Sequence, residues 1–408
     1  MAGLAGWRRR GAPVRRRGGA ARVRSRVVQR PGATFFAAVV LVGLNLRTVF
    51  ASLPPLLDRV RDDLGLSATV AGLLTTGPVL CFGLLAPFAP RLARRVPIER
   101  VIAACAALTA VGTAARGLGL AGLFAGTMLA GAAVAIAQTS IPILLRTRFT
   151  LHSGSLTGAF SMALTLGAAV AAGTAVPLER VFGSWRGALA AFAVPAALAA
   201  ALWITPRRTL VRREEPLGLR RDHRAWSVAL FFGLQSTAFY GGLTWLPSVL
   251  QDAGYSEAAA GGLQALANVL QFAPAFFVPV LAVRRATQTW LLVVLAVVAA
   301  GGLAGILVAP GAAPLWMCAI GLAQGGALGL ALILPFLRGG SAHAVASLTA
   351  MSLSVGYLIA ATGPWLAGLA HDLSGGWNAP LALLIAITLA ELAVGVPATR
   401  AWVLVDDA

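Results

Sequence analysis

Residues 34–57 read TFFAAVVLVGLNLRTVFASLPPLL, and the reading of this stretch decides the fold. A helix needs about 20 apolar residues to cross a hydrocarbon layer of roughly 30 Å, and this stretch supplies them with one charge, Arg47. At a rise of ~1.5 Å per residue, Arg47 lies near 20 Å from the start of the helix, which is mid-span. Burying that charge costs between ~2.5 and ~17 kcal/mol, depending on how the surroundings relax. A partner carboxylate, carbonyls around a cavity, or an anionic solute must offset the cost. Snorkelling toward one face, or holding by helix carbonyls, is the structural alternative.

The same pattern recurs outward along the chain. Apolar segments run at about 34–57, 67–89, 98–118, 120–145, 154–178 and 185–205, then at about 225–250, 257–282, 287–309, 313–337, 343–370 and 378–399. The composition agrees: 58% of residues are hydrophobic and 12% charged, about half the charge of an ordinary soluble domain. The 408 residues therefore read as an all-α integral membrane protein with twelve spans.

The formal net charge is +19, and all 33 basic residues are Arg. They sit in a tail and in short connections, as orientation in a bilayer requires, so nucleic acid is not an expected partner. One set of connections carries Arg91, Arg94, Arg95, Arg100, Arg146, Arg148, Arg284, Arg285 and Arg338. The alternate set carries Asp58, Asp62, Asp63, Glu179, Asp252, Glu257 and Asp372. The Arg-rich set is expected to be cytoplasmic, with both termini, and an even number of spans follows. Residues 1–32 hold ten Arg and no acid, and read as a disordered cytoplasmic tail or an over-extended start. They are not read as a secretory signal, because a full-length span follows directly.

The polar stretch 206–224 divides the chain into a first bundle, 33–205, and a second, 225–400, with 401–408 as a short cytoplasmic tail. The halves repeat at an offset near 190: Gly43-Leu44-Asn45 matches Gly233-Leu234-Gln235, Arg94-Arg95 matches Arg284-Arg285, and Trp185 matches Trp377. Parallel six-span halves enclosing a midplane site are the layout of a secondary carrier. No phosphate loop is present, which argues against direct use of ATP. No clustered nucleophile, metal set or paired carboxylate suggests an enzyme, and no cofactor is expected. The carrier is expected to act as a monomer on a small-molecule solute.

Several other polar groups fall inside spans. Asn45 is two residues from Arg47, so the two point to different sides of one helix; if Arg47 faces the solute, Asn45 bonds a neighbouring helix. Gln264, Asn268 and Gln271 form a stripe at i, i+4 and i+7, either interhelical glue or the wall of a wet cavity. Thr157, Ser161 and Thr165 make a weaker stripe that reads as packing. Tyr240 and Trp245 read as interfacial anchors or as a gate. Arg116 and Arg186 are expected to snorkel from span ends, and Glu391, the one carboxylate deep within a span, to sit in a structural pairing or at the lipid interface, with proton coupling as the lesser alternative. Cys81, Cys105 and Cys318 lack metal or redox spacing. Gly117–Gly122 matches a dinucleotide fingerprint but has no strand before it.

Leu44-Asn45-Leu46-Arg47, Leu53-Pro54-Pro55-Leu56, Leu73-Leu74-Thr75-Thr76-Gly77-Pro78-Val79 and, in the second half, Gly233-Leu234-Gln235-Ser236 and Trp245-Leu246-Pro247 resemble the cyanate/2-nitroimidazole permease family of the major facilitator superfamily. The resemblance covers about residues 34–400. It implies that the first, fourth, seventh and tenth spans surround a central cavity, which brings in Gln138, Gln235 and Gln324 beside Arg47, Asn45, Asn268, Gln271, Tyr240 and Trp245. It implies a cyanate-like anion or a small nitrogen heterocycle as solute; multidrug-type efflux is the alternative. The superfamily's usual loop after the second span, Gly-x-Leu-Ala-Asp-Arg-x-Gly-Arg, is here Pro90-Arg91-Leu92-Ala93-Arg94-Arg95-Val96-Pro97-Ile98. Arg91, Arg94 and Arg95 are its expected gating residues, with Arg94 in place of the acid and Pro at both Gly positions.

Overall fold

The computed structural model describes residues 33–85, 88–148, 153–203 and 222–404. The Arg tail, most of the 206–224 linker and the last four residues lie outside them. Among the described residues the chain is helical, with one isolated bridge between Gly339 and Leu404.

Backbone N–H and C=O groups find no water in hydrocarbon, so a spanning segment must satisfy them within itself, as a helix does. Eleven described helical stretches are long and apolar enough to cross a membrane. The first runs through α1 (Ala33–Ala51), a 3-10 turn at Pro54–Leu56 and α2 (Leu57–Leu64). Pro54 and Pro55, seven and eight residues after Arg47, lack N–H groups, so the helix breaks there. Gly65, with φ of 63°, ends α2 in the left-handed region that only glycine occupies easily. Then follow α3 (Ala68–Leu85), the short α4 (Ala89–Arg95), α5 (Ile98–Ala115), α6 (Gly119–Arg148), α7 (Ser153–Phe182), α8 (Trp185–Ala191) and α9 (Ala193–Leu202). The dinucleotide-like glycines lie where α5 turns into α6.

The second half begins with α10 (His223–Asp252), capped by Asp222, whose side chain accepts from the N–H groups of Arg224 and Ala225. Although α10 falls short of the apolarity of the other spans, it is the twelfth crossing. Of its 30 residues, 22 are buried, because α14, α15, α16 and α17 pack around it. A helix enclosed by protein need not present an apolar face to lipid, so Gln235, Ser236, Thr237, Tyr240 and Thr244 are tolerated there. The chain continues through α11 (Glu257–Leu270), α12 (Phe272–Ala282), α13 (Thr289–Val308), α14 (Ala313–Arg338), α15 (Ala342–Ala360), α16 (Thr362–Ser374) and α17 (Asn378–Thr399).

The halves meet toward the acid-bearing end. There α3 packs along α16, and α7 along α11. Small residues permit the approach: a Cβ on Gly72 would come 2.7 Å from the Pro364 carbonyl oxygen, and one on Gly368 would come 2.5 Å from that of Ala68. Polar contacts finish the seam. Asp372 of α16 accepts from the backbone N–H groups of Ala68 at 3.0 Å and Thr69 at 2.7 Å, at the start of α3. Arg59 of α2 bridges Glu179 of α7 and Glu257 of α11, lying 2.8 Å from the latter. Toward the Arg-rich end, α12 leaves the seam and packs on α14 of its own half. The structure is thus closed at the acidic end.

Candidate functional site

Arg47 projects from α1 toward the opposite half, where its Nη1 donates to the Tyr240 hydroxyl of α10 at 2.9 Å. It is half-buried, among neighbours on α1 that are mostly buried, and no carboxylate pairs with it among the described residues. Its charge is therefore positioned but not neutralised, and most of its five N–H donors stay available. Aromatic rings fix the surroundings. Phe50 and Phe82 stack at 5.4 Å, Phe82 and Tyr357 at 4.9 Å, and Phe232 meets Tyr357 edge-on at 5.2 Å. Tyr240 lies 5.9 Å from Phe50 and 6.5 Å from Tyr357. Four helices of both halves, α1, α3, α10 and α15, supply this cage. Gln138 of α6 approaches the Tyr357 hydroxyl, while its own Oε1 is buried and unpaired.

A second polar group lies within the second half. Gln235 donates to Gln324 Oε1 at 3.0 Å. On α11, Asn268 Oδ1 accepts from Gln271 at 3.1 Å and, more weakly, from Gln264 at 3.5 Å. Gln264 Oε1 and Asn268 Nδ2 are buried without a partner. Gln264, Gln271 and Gln324 line a cavity with Phe239, Leu243 and Met317. Phe239, in the lining of this cavity, packs edge-on against Tyr240 at 5.0 Å, the residue that holds Arg47.

The packing keeps some of the other expectations and changes others. Asn45 turns away from Arg47, as two residues of separation dictate, and donates to the carbonyls of Leu41 at 2.7 Å and Pro195 at 3.1 Å. Trp245 is not an interfacial anchor. It is fully buried, donates to the Pro364 carbonyl at 2.7 Å and packs at 5.2 Å against Trp377, with Arg61 over its ring. It belongs to the closed acidic end. Arg116 does not snorkel: it is 0% exposed and donates to Ser52 at 3.2 Å, beside the break in the first span. Arg186 does reach the surface, where it pairs with Asp63 at 2.6 Å. Glu391 does not face lipid; it is 3% exposed, one turn before Gly395, which packs against Phe231 of α10 and Leu292 of α13. Arg91, Arg94 and Arg95 are exposed on α4, which packs on α5 and α6 of its own half. The side chains of Thr157 and Ser161 lie outside the described residues.

Sequence comparison supplies what geometry does not. The sequence profile of the Major Facilitator Superfamily matches residues 35–364. The chain belongs to this superfamily. It is 36% identical over 374 residues to the 2-nitroimidazole transporter of Escherichia coli (strain K12), covering 89% of this chain and 95% of that one. It is 31% identical over 347 residues to the cyanate transport protein CynX of the same organism, covering 83% of this chain and 90% of that one. Among solved structures, a bacterial homolog of the human lysosomal transporter Spinster, inward-facing and unoccupied, superposes with a TM-score of 0.75 at 17% identity. That match covers 90% of this chain and 96% of the other. The superfamily chain described here is a multi-pass membrane transporter of a small-molecule solute and not an enzyme.

Proposed function

We propose that this transporter carries a small anionic or strongly hydrogen-bonding solute by alternating access, with Arg47 as the group that holds it. The observation that carries this reading is the Arg47 guanidinium: it has no counter-ion among the described residues, is partly accessible, and is aimed across the seam between halves by Tyr240. A planar guanidinium in a low-dielectric cavity favours an anion or a polarised planar molecule, bidentate where shape allows. Tyr240, Tyr357 and Gln138 complete the polar rim, and the stacked rings of Phe50 and Phe82 give a flat apolar wall. Cyanate-like anions and small nitrogen heterocycles fit that description, and relatives named for cyanate and 2-nitroimidazole support it.

The Arg-rich end faces the cytoplasm in this reading, by the charge asymmetry of the connections, with the chain in the bacterial inner membrane as a monomer. The closed acidic end is then extracellular. Rocking of the halves would break the α3–α16 and α7–α11 seams and expose Arg47 to the other side. Uptake of labelled cyanate and of 2-nitroimidazole into proteoliposomes tests the substrate class. Saturable transport of either, competed by the other, is expected; transport of neither, with lipophilic cations carried instead, would favour multidrug-type efflux. The apolar walls of the second cavity, Phe239, Leu243 and Met317, are what favours that rival.

A further inference from the structure

The Arg-rich end carries exposed cations that the transport site does not use. On α4, Ala89 and Ala93 face inward and are 0% exposed. The other faces hold Arg91, Arg94 and Arg95, all exposed, beside two large apolar side chains that are also exposed, Phe88 at 53% and Leu92 at 38%. The Arg91 guanidinium stands 5.2 Å from the centre of the Phe88 ring. Arg100, at the start of α5, is exposed nearby. None of these four pairs with a carboxylate among the described residues.

The repeat places a like arrangement on the other half. Arg284 and Arg285, the counterparts of Arg94 and Arg95, are exposed between α12 and α13. Arg285 stands 5.6 Å from the centre of the Trp290 ring. Trp290 is 43% exposed and Val283 57%. In each half, then, guanidinium groups without a carboxylate partner among the described residues share one short connection, at the end of a span, with exposed aromatic and aliphatic side chains.

We propose that these two connections, 88–100 and 283–290, are binding surfaces for anionic phospholipid headgroups in the adjoining leaflet. The guanidinium groups take the phosphate by charge-assisted hydrogen bonds. Phe88, Leu92, Val283 and Trp290 sit against the glycerol and upper acyl region, where amphipathic side chains collect. Charge alone would attract any anion. The exposed apolar groups alongside are what suit a lipid rather than free phosphate, since water would otherwise cover them. Arginines close to a charged leaflet add to its attraction one by one.

The test is the melting temperature of the full-length protein in phosphatidylcholine vesicles and in phosphatidylcholine–phosphatidylglycerol vesicles. Three proteins are compared first: wild type, Arg94→Gln/Arg95→Gln, and Arg224→Gln/Arg400→Gln. The last pair removes the same charge from exposed positions at the same end. Phosphatidylglycerol is expected to raise the melting temperature of wild type and of the Arg224/Arg400 variant. The Arg94/Arg95 variant should lose most of that rise while melting like wild type in phosphatidylcholine. Its affinity for the lipid, titrated in the same vesicles, should fall about tenfold or more. Adding Arg284→Gln/Arg285→Gln should abolish what remains. Equal losses in both double variants would reduce the effect to general surface charge and overturn the proposal. So would equal stabilisation of wild type by inorganic phosphate in phosphatidylcholine.

Discussion

Arg47 and Tyr240 set the chemistry at the scale of single residues. A hydrogen bond to a charged group is worth about 1.5–3 kcal/mol, and Tyr240 provides one that fixes where the guanidinium points. Tyr240→Phe should therefore weaken solute binding by about tenfold, the lower end of that range, read as a rise in KM for uptake. Arg47→Lys keeps the charge but loses the planar fork, and should cost more than Tyr240→Phe. If Lys at this position transports like wild type, a point charge suffices and the bidentate reading fails. Arg47 was legible in the sequence because a charge inside an apolar run must be compensated. Tyr357 was not, since a tyrosine in an apolar helix reads as packing, and only the tertiary fold brings α15 opposite α1. Arg116 misled for the same reason. Its place near a span end suggested snorkelling, but it is buried and donates to Ser52, just ahead of the Pro54–Pro55 break.

The acidic end is held, at the scale of elements, by two kinds of contact of different strength. Arg59 keeps Glu179 and Glu257 from facing each other as like charges across α7 and α11. It is 41% exposed, so solvent screens the pair and its worth is about 0–1 kcal/mol. Arg59→Gln should shift the halves only a few-fold toward opening at this end. Labelling of a cysteine placed at Ser248, in a chain with Cys81, Cys105 and Cys318 replaced, reads that shift. A second change, Glu257→Gln, should bring the labelling back, because it removes the repulsion. The steric contact is stronger. Gly368→Leu sets a Cβ 2.5 Å from the backbone oxygen of Ala68, and backbone cannot yield as a side chain can. This variant should label at Ser248 far more than Arg59→Gln and should transport poorly. Labelling equal to wild type would mean that α3 and α16 do not close against each other during transport. The spans themselves were readable from hydropathy. Their contacts were not, because Gly, Ala and Leu recur so often that composition does not say which glycine meets which carbonyl. Trp245 shows this: its position in a span suggested a membrane interface, while its indole is sealed between Pro364 and Trp377.

Viewed as a whole, the molecule is two similar bundles whose repeat explains where its contacts fall. The start of α3 and the start of α11 are counterparts in the repeat, as are the ends of α7 and α16. Each seam joins a span end of one half to a span start of the other. At the first, Asp372 accepts from backbone N–H groups directly; at the second, Glu257 and Glu179 need Arg59 between them. The twelve-span fold was legible because hydrophobic length and charge alternation are one-dimensional signals. The candidate site was legible in part, since the aromatic cage around Arg47 depends on which faces of α1, α3, α10 and α15 meet. In the proposed cycle the Arg47 guanidinium, which no carboxylate among the described residues neutralises, holds the solute while the halves alternately expose it. The most direct measurement is counterflow in proteoliposomes preloaded with unlabelled cyanate or 2-nitroimidazole, comparing wild type with Arg47→Gln at matched melting temperature. Transient accumulation of label by wild type and none by Arg47→Gln is the expected result; counterflow undiminished in Arg47→Gln would contradict it.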